Sequence, residues 1–211
     1  MPVASVTEHG LVGGSDHPVA ELVAQEPIDN SVLGLWVWLS AEALFFASLI
    51  GVYFLLHTDT NHGLTPKTAF DLPLTFVGTI ILLSSSMTMA LGYNQMRRGN
   101  VVGLRRWLVA TAFLGLAFLG FQAKEFTGFY SRGLTLSSSP FGSSFFTLTG
   151  FHGLHVLFGV FWLLSLLAYT YKPTFMQEAK TKVQVLGLYW HFVDVVWVVI
   201  FTFVYLMGKV G

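Results

Sequence analysis

The chain has 211 residues, of which 10% are charged and 54% apolar, against about a quarter charged in an ordinary soluble domain; so few charges could not cover a soluble surface. The formal net charge is zero, which excludes the basic stripe of a nucleic-acid binder. No cysteine is present, which excludes disulfides, thiolate nucleophiles, iron–sulfur ligation and cysteine-based zinc or copper sites.

Residues 1–30 are rich in Gly, Pro, Asp and Glu and read as a polar N-terminal arm. No Lys or Arg precedes Lys67, so this end lacks the basic flank of a signal peptide and the Arg-rich texture of a transit peptide. His9 and His17 lie in the arm, where a bland polar role outweighs metal binding. Residues 31–211 form the second unit, an all-α polytopic transmembrane bundle of about five helices. The first span runs from about Leu33 to Leu56, after Asp29, Asn30 and Ser31 offer caps. The second runs from about Leu72 to Tyr93 and the third from about Leu104 to Tyr130. The fourth starts near Phe141, behind Ser137-Ser138-Ser139-Pro140, and ends near Lys172-Pro173. The fifth runs from about Val185 to Met207. Barrel strands would alternate polar and apolar residues at half this length, so helices are expected.

Basic residues set an orientation. The turns after the second and fourth spans hold Arg97, Arg98, Arg105, Arg106, Lys172, Lys180 and Lys182. The other side holds Lys67, Arg132 and Lys209. The positive-inside rule then places the N-terminus in the cytoplasm and the C-terminus outside.

Ionisable side chains inside a membrane are expensive and mark function or specific packing. Here they are Glu42, Lys124, Glu125, His152, His155, His191 and Asp194. Gln122 and Glu125, His152 and His155, and His191 and Asp194 are each three apart, so each pair shares a helix face. A di-iron bundle needs Glu-x-x-His units, and no Glu here has His three residues later. A multi-haem subunit needs more axial histidines than the spans provide. Glu125 falls near the outer end of its span and His191 near the inner end of its own, which separates them by well over about 10 Å. The expected role of these groups is to pair with one another and lock the bundle, with Lys124 snorkelling outward. Glu42, an isolated carboxyl about 13 Å into the first span, is the candidate for proton conduction. Gly115, Gly120, Gly142, Gly150, Gly153 and Gly159 are expected to permit close helix approach. Ser84, Ser85 and Ser86 can bond across helices or back to their own. Trp36, Trp38, Trp107, Trp162, Trp190 and Trp197 read as packing or interfacial belt residues.

Five elements in order resemble subunit III of the haem–copper oxidases, in its short five-helix bacterial form. They are Ser40-Ala41-Glu42-Ala43-Leu44-Phe45-Phe46, Gln122-Ala123-Lys124-Glu125-Phe126, Phe141-Gly142-Ser143-Ser144-Phe145-Phe146, Gly150-Phe151-His152-Gly153-Leu154-His155-Val156, and Tyr189-Trp190-His191-Phe192-Val193-Asp194-Val195-Val196-Trp197. The resemblance covers about Ser40 to Gly208. A lone HxxH is weak, whereas five elements in register are specific.

The resemblance implies a non-redox subunit of a proton-pumping, oxygen-reducing respiratory complex. It would pack mainly on subunit I, with subunit II and small subunits nearby. Haems and copper would belong to those partners, leaving this chain no catalytic residue, no metal and no cofactor of its own, apart from structural phospholipid. Glu42 falls on the family's buried carboxyl, tied to proton uptake. Gln122, Glu125, His152, His155, Trp190, His191 and Asp194 fall on interior polar or lipid-contact positions. Longer relatives have seven helices with a lipid cleft beside the first two, which have no counterpart here. An aa3-type cytochrome c oxidase is the first expectation, from Gln122–Phe126, the arginine turn and Tyr189. A bacterial quinol oxidase is the alternative, from Phe203-Val204-Tyr205-Leu206-Met207-Gly208. A free-standing proton channel or transporter, using Glu42, His191 and Asp194, is a third reading; no proline breaks the middle of a span. The implied location is the bacterial plasma membrane.

Overall fold

The computed structural model describes residues 30–60 and 72–210. The N-terminal arm up to residue 29, and Lys67 with its loop, lie outside the described residues. Five long helices run antiparallel: α1 Asn30–Leu56, α2 Leu72–Arg97, α3 Val101–Ser131, α4 Pro140–Tyr169 and α5 Phe175–Ile200. A π-helical segment, Phe201–Leu206, continues α5, and a short α6, Met207–Val210, ends the described chain. Among the described residues, five helices are long and apolar enough to cross a membrane.

Local chemistry explains the helix ends. Ser139 caps α4 by accepting the Gly142 amide at 3.1 Å, and Pro140 fills the first turn, where its missing N–H is harmless. Asn100 caps α3 by accepting the Gly103 amide at 2.9 Å. Gly99 before that cap adopts φ 71°, which a side chain would resist. The helices overrun the apolar stretches, most clearly at α5, which starts at Phe175 rather than Val185. Hydropathy marks what lies in lipid, whereas backbone bonding continues into the aqueous turns. There Lys182 lies 3.2 Å from Glu178, which also accepts from Tyr169 at 3.1 Å. Arg105, expected as an orientation charge, is also a clamp. Its Nε donates to Thr170 Oγ1 at 2.9 Å and its Nη2 to Thr170 O at 2.6 Å, at the carbonyl end of α4.

α5 packs on α1, α2 and α4, while α3 packs on α2 and α4. Burial follows: half of the most apolar window of α5 is buried, against 17% for α1. Trp190 of α5 is the keystone. Its ring fills sockets at Gly115 of α3 and Gly159 of α4, where an added Cβ would sit 2.7 and 2.8 Å from ring carbons. Its indole N–H reaches Ser85 of α2 at 2.9 Å. One side chain thus ties α5 to three other helices. Gly120 and Gly150 make no such contact within the chain: among the described residues nothing lies within 4 Å of a Cβ at either. Gly142 makes room for Thr135 O, a turn carbonyl rather than a neighbouring helix.

Candidate functional site

A ladder of hydroxyls on α2 organises the polar interior. Thr75, Thr79, Ser85, Ser86 and Thr88 follow the helical repeat along the side facing α3 and α5. Thr79 Oγ1 accepts from Trp197 Nε1 at 3.0 Å, and Ser85 Oγ from Trp190 Nε1 at 2.9 Å. Thr88 and Thr111 hydroxyls meet at 2.8 Å, and Ser86 Oγ lies 2.7 Å from His191 Nδ1. Ser84 back-bonds to Ile80 O within its own helix at 2.7 Å. Across helices these bonds replace water that lipid cannot supply. Indole nitrogens donate and never accept, while Thr79 and Ser85 spend their own hydroxyl hydrogens on Thr75 O and Leu82 O of α2.

Glu125 lies at one end of this seam, 5% exposed. Its Oε1 accepts from Thr75 at 2.6 Å and its Oε2 from Tyr205 at 3.0 Å. The π-helical segment carries Tyr205, while Tyr53 of α1 donates to Val204 O at 3.4 Å. No periodicity in the sequence marks this segment. Thr75 and Ser86, the partners of Glu125 and His191, are eleven residues apart on α2, about 16 Å at helical rise, so the two groups sit at different depths. Lys124 is exposed beside Glu125, as snorkelling requires.

His152 is fully buried, stacked on Trp197 at 4.9 Å and edged by Phe118 and Phe46. Neither ring nitrogen has a hydrogen-bond partner among the described residues. Gln122 donates to Thr149 O at 2.7 Å across the α3/α4 contact, and its Oε1 is buried without a partner among the described residues. Asp194 is 3% exposed. Neither carboxyl oxygen has a hydrogen-bond partner among the described residues.

Glu42 of α1 is not isolated. Its Oε2 lies 3.3 Å from His155 Nε2 of α4, and the side chains keep 22% and 18% of their surface exposed. His155 Nδ1 lies 2.7 Å from Phe151 O. A carbonyl oxygen only accepts, so Nδ1 carries a hydrogen. Nε2 of a neutral ring and a carboxylate are then both acceptors, and their contact requires one proton between them. The pair holds that proton either as imidazolium and carboxylate or as imidazole and carboxylic acid. Tyr189 donates to His155 O at 2.8 Å and steadies this face.

The sequence pairing by helix face therefore holds for Gln122 with Glu125, both buried, and partly for His152 with His155. In the second pair one side chain turns into an aromatic cage while the other meets Glu42. The channel residues do not converge, since Glu42 joins α1 to α4 and His191 bonds to α2. Among the described residues, no three His, Asp or Glu side chains form a group that could hold a metal ion. The signals missed from sequence were Thr75, Thr79 and Tyr205, ordinary residues whose partners lie more than forty positions away.

Five helices long and apolar enough to cross a membrane, joined by hydrogen bonds between helices, define a multi-pass membrane protein built as an all-α bundle. The family model described as cytochrome c oxidase subunit III matches residues 28–209, and the chain belongs to that family. It is a subunit III of a haem–copper oxidase. The chain is 38% identical over 204 residues to quinol oxidase subunit 3 of Bacillus subtilis (strain 168), covering 97% of this chain and 99% of that one. It is 41% identical over 182 residues to cytochrome c oxidase subunit 3 of Bacillus sp. (strain PS3), covering 86% and 88%. It is 41% identical over 179 residues to cytochrome bo(3) ubiquinol oxidase subunit 3 of Pseudomonas aeruginosa, covering 85% and 86%.

Proposed function

We propose that the chain is subunit III of an aa3-type cytochrome c oxidase, a non-redox support for a proton-pumping, oxygen-reducing complex. In this reading it packs on subunit I, with subunit II and small subunits nearby, while partners hold the haems and copper. Structural phospholipid fills its exposed grooves. Residues 1–30 are a cytoplasmic arm, the C-terminus lies outside the bacterial plasma membrane, and the basic turns between spans favour that orientation. The observation that carries the supporting role is the Glu42–His155 pair, a one-proton holder left half-open at 3.3 Å on the α1/α4 face. Deeper in the bundle, Glu125, Trp190 and His191 are hydrogen-bonded between helices, and His152 is enclosed by aromatic rings. Glu42 is therefore the residue assigned to proton uptake, and Gln122, Glu125, His152, Trp190, His191 and Asp194 are assigned to interior locking.

A second reading, subunit III of a quinol oxidase, is favoured by the near end-to-end match to the Bacillus subtilis quinol oxidase subunit. Purifying the complex through this chain and supplying reduced cytochrome c or a quinol separates the two. Oxygen consumption with cytochrome c is the expected result; consumption with quinol alone would overturn the donor assignment.

A further inference from the structure

A groove of about 300 Å³ runs between α2 and α5 towards the arginine-turn end of the bundle, lined by Met89, Tyr93, Gln184, Gly187, Leu188 and His191 among others. The antiparallel register sets its layout. Ser86 meets His191, and Met89 comes within 3.5 Å of where a Gly187 Cβ would stand, so Tyr93 is level with Gln184. Gly187 leaves a low floor between these polar ends, and Met89 beside it offers a thioether to a ring. His191 spends Nδ1 on Ser86 at 2.7 Å. Its Nε2, the Tyr93 hydroxyl and the Gln184 amide have no hydrogen-bond partner among the described residues, and none of them is sealed inside the protein. Unpaired polar groups are costly against hydrocarbon, so three in one groove call for a ligand with polar atoms of its own.

Spacing and chemistry define that ligand. Gln184 and His191 are seven residues apart, so two turns of α5 put them on one face about 10.5 Å apart. A para-quinone ring carries its oxygens on opposite sides, about 5 Å apart, and a hydrogen bond of about 2.9 Å at each end extends the reach to about 11 Å. Each group in the groove can donate or accept. The amide and the phenol do both, and the Ser86–His191 bond can run either way, leaving Nε2 as donor or acceptor. The same three groups therefore match the carbonyls of a quinone and the hydroxyls of a quinol. No Lys or Arg lines this groove, whereas the groove at Ser31 and Lys182 holds the cation that a lipid phosphate needs.

We infer that the α2/α5 groove binds the ring of a lipid-soluble para-quinone or its quinol, with one oxygen at His191 Nε2, the other between Gln184 and Tyr93, and the tail in lipid. This groove is the exception to the phospholipid filling proposed above. Binding is read without turnover, so the site does not depend on whether cytochrome c or quinol feeds the complex. The test is photolabelling of the whole complex, purified through a tag on this chain, with a short-tailed azido para-quinone, followed by peptide mapping. Expected is label within residues 86–93 or 184–191, suppressed by excess unmodified para-quinone but not by phosphatidylglycerol. Combining Tyr93→Phe with Gln184→Leu should reduce that label several-fold at an unchanged ratio of haem to this chain. No label on these peptides would overturn the inference, as would label that phosphatidylglycerol displaces or that the double variant keeps in full. A fall in the haem ratio of the double variant would also overturn it, by placing these side chains in a contact between subunits. A chain that purifies free of haem proteins, yet takes competed label at these peptides, would sink the oxidase reading and leave the site standing.

Discussion

The α2/α5 seam and the α1/α4 seam both place polar groups at membrane depth, yet they use them oppositely. Between α2 and α5, Trp190 and Trp197 are 0% and 1% exposed and spend their N–H groups on Ser85 and Thr79. These two bonds have fixed donors and fixed acceptors, unlike the Ser86–His191 contact further along the same seam, which can be made in either direction. Between α1 and α4, Glu42 and His155 must share one proton, and both keep an open side. Burial with a fixed donor produces a lock; the half-exposed carboxyl–imidazole contact is the feature on which the proposed proton-uptake role of Glu42 rests.

Substitutions can break the lock in graded steps. Trp190→Ala empties both glycine sockets and removes the indole donor to Ser85, which should destabilise the bundle by about 3–5 kcal/mol, read as loss of the chain from membranes or a lower Tm of the complex. Gly159→Ala drives a Cβ to 2.8 Å from the Trp190 ring; overpacking of this kind costs about 1–3 kcal/mol, and the same melt reports it. Tyr205→Phe leaves Glu125 Oε2 without its hydroxyl donor, a loss of about 1–3 kcal/mol that should lower subunit retention in detergent. Glu42→Gln should have the smallest structural effect, about 1 kcal/mol or less, because the amide can still donate to His155. Its effect should fall on turnover: haem spectra intact, with proton uptake slowed or the lifetime during turnover shortened. Haem spectra lost in that variant would move Glu42 into the lock and erase the contrast between the seams.

Much of this was legible in the sequence because lipid imposes long apolar runs, which set the number and order of the helices. The helix-face pairs were legible too, since spacing alone places Gln122 beside Glu125. The partners of those residues were not. Glu42 looked isolated because His155 is 113 positions away, and spacing within one helix says nothing about a neighbour. Glycines were ambiguous for the same reason: Gly159 and Gly150 read alike until Trp190 is found against one and open space against the other. The π segment was invisible because Phe201, Val204 and Tyr205 keep an ordinary helical pattern of burial.

The shared proton is the point on which the contrast between the seams turns, and nitrogen-15 NMR of histidine-labelled complex observes it directly. The expected spectrum shows His155 with a protonated Nδ1 and an Nε2 strongly hydrogen-bonded, shifting when Glu42→Gln removes the carboxyl. A His155 Nε2 that is bare and identical with or without Glu42 would contradict the one-proton pair.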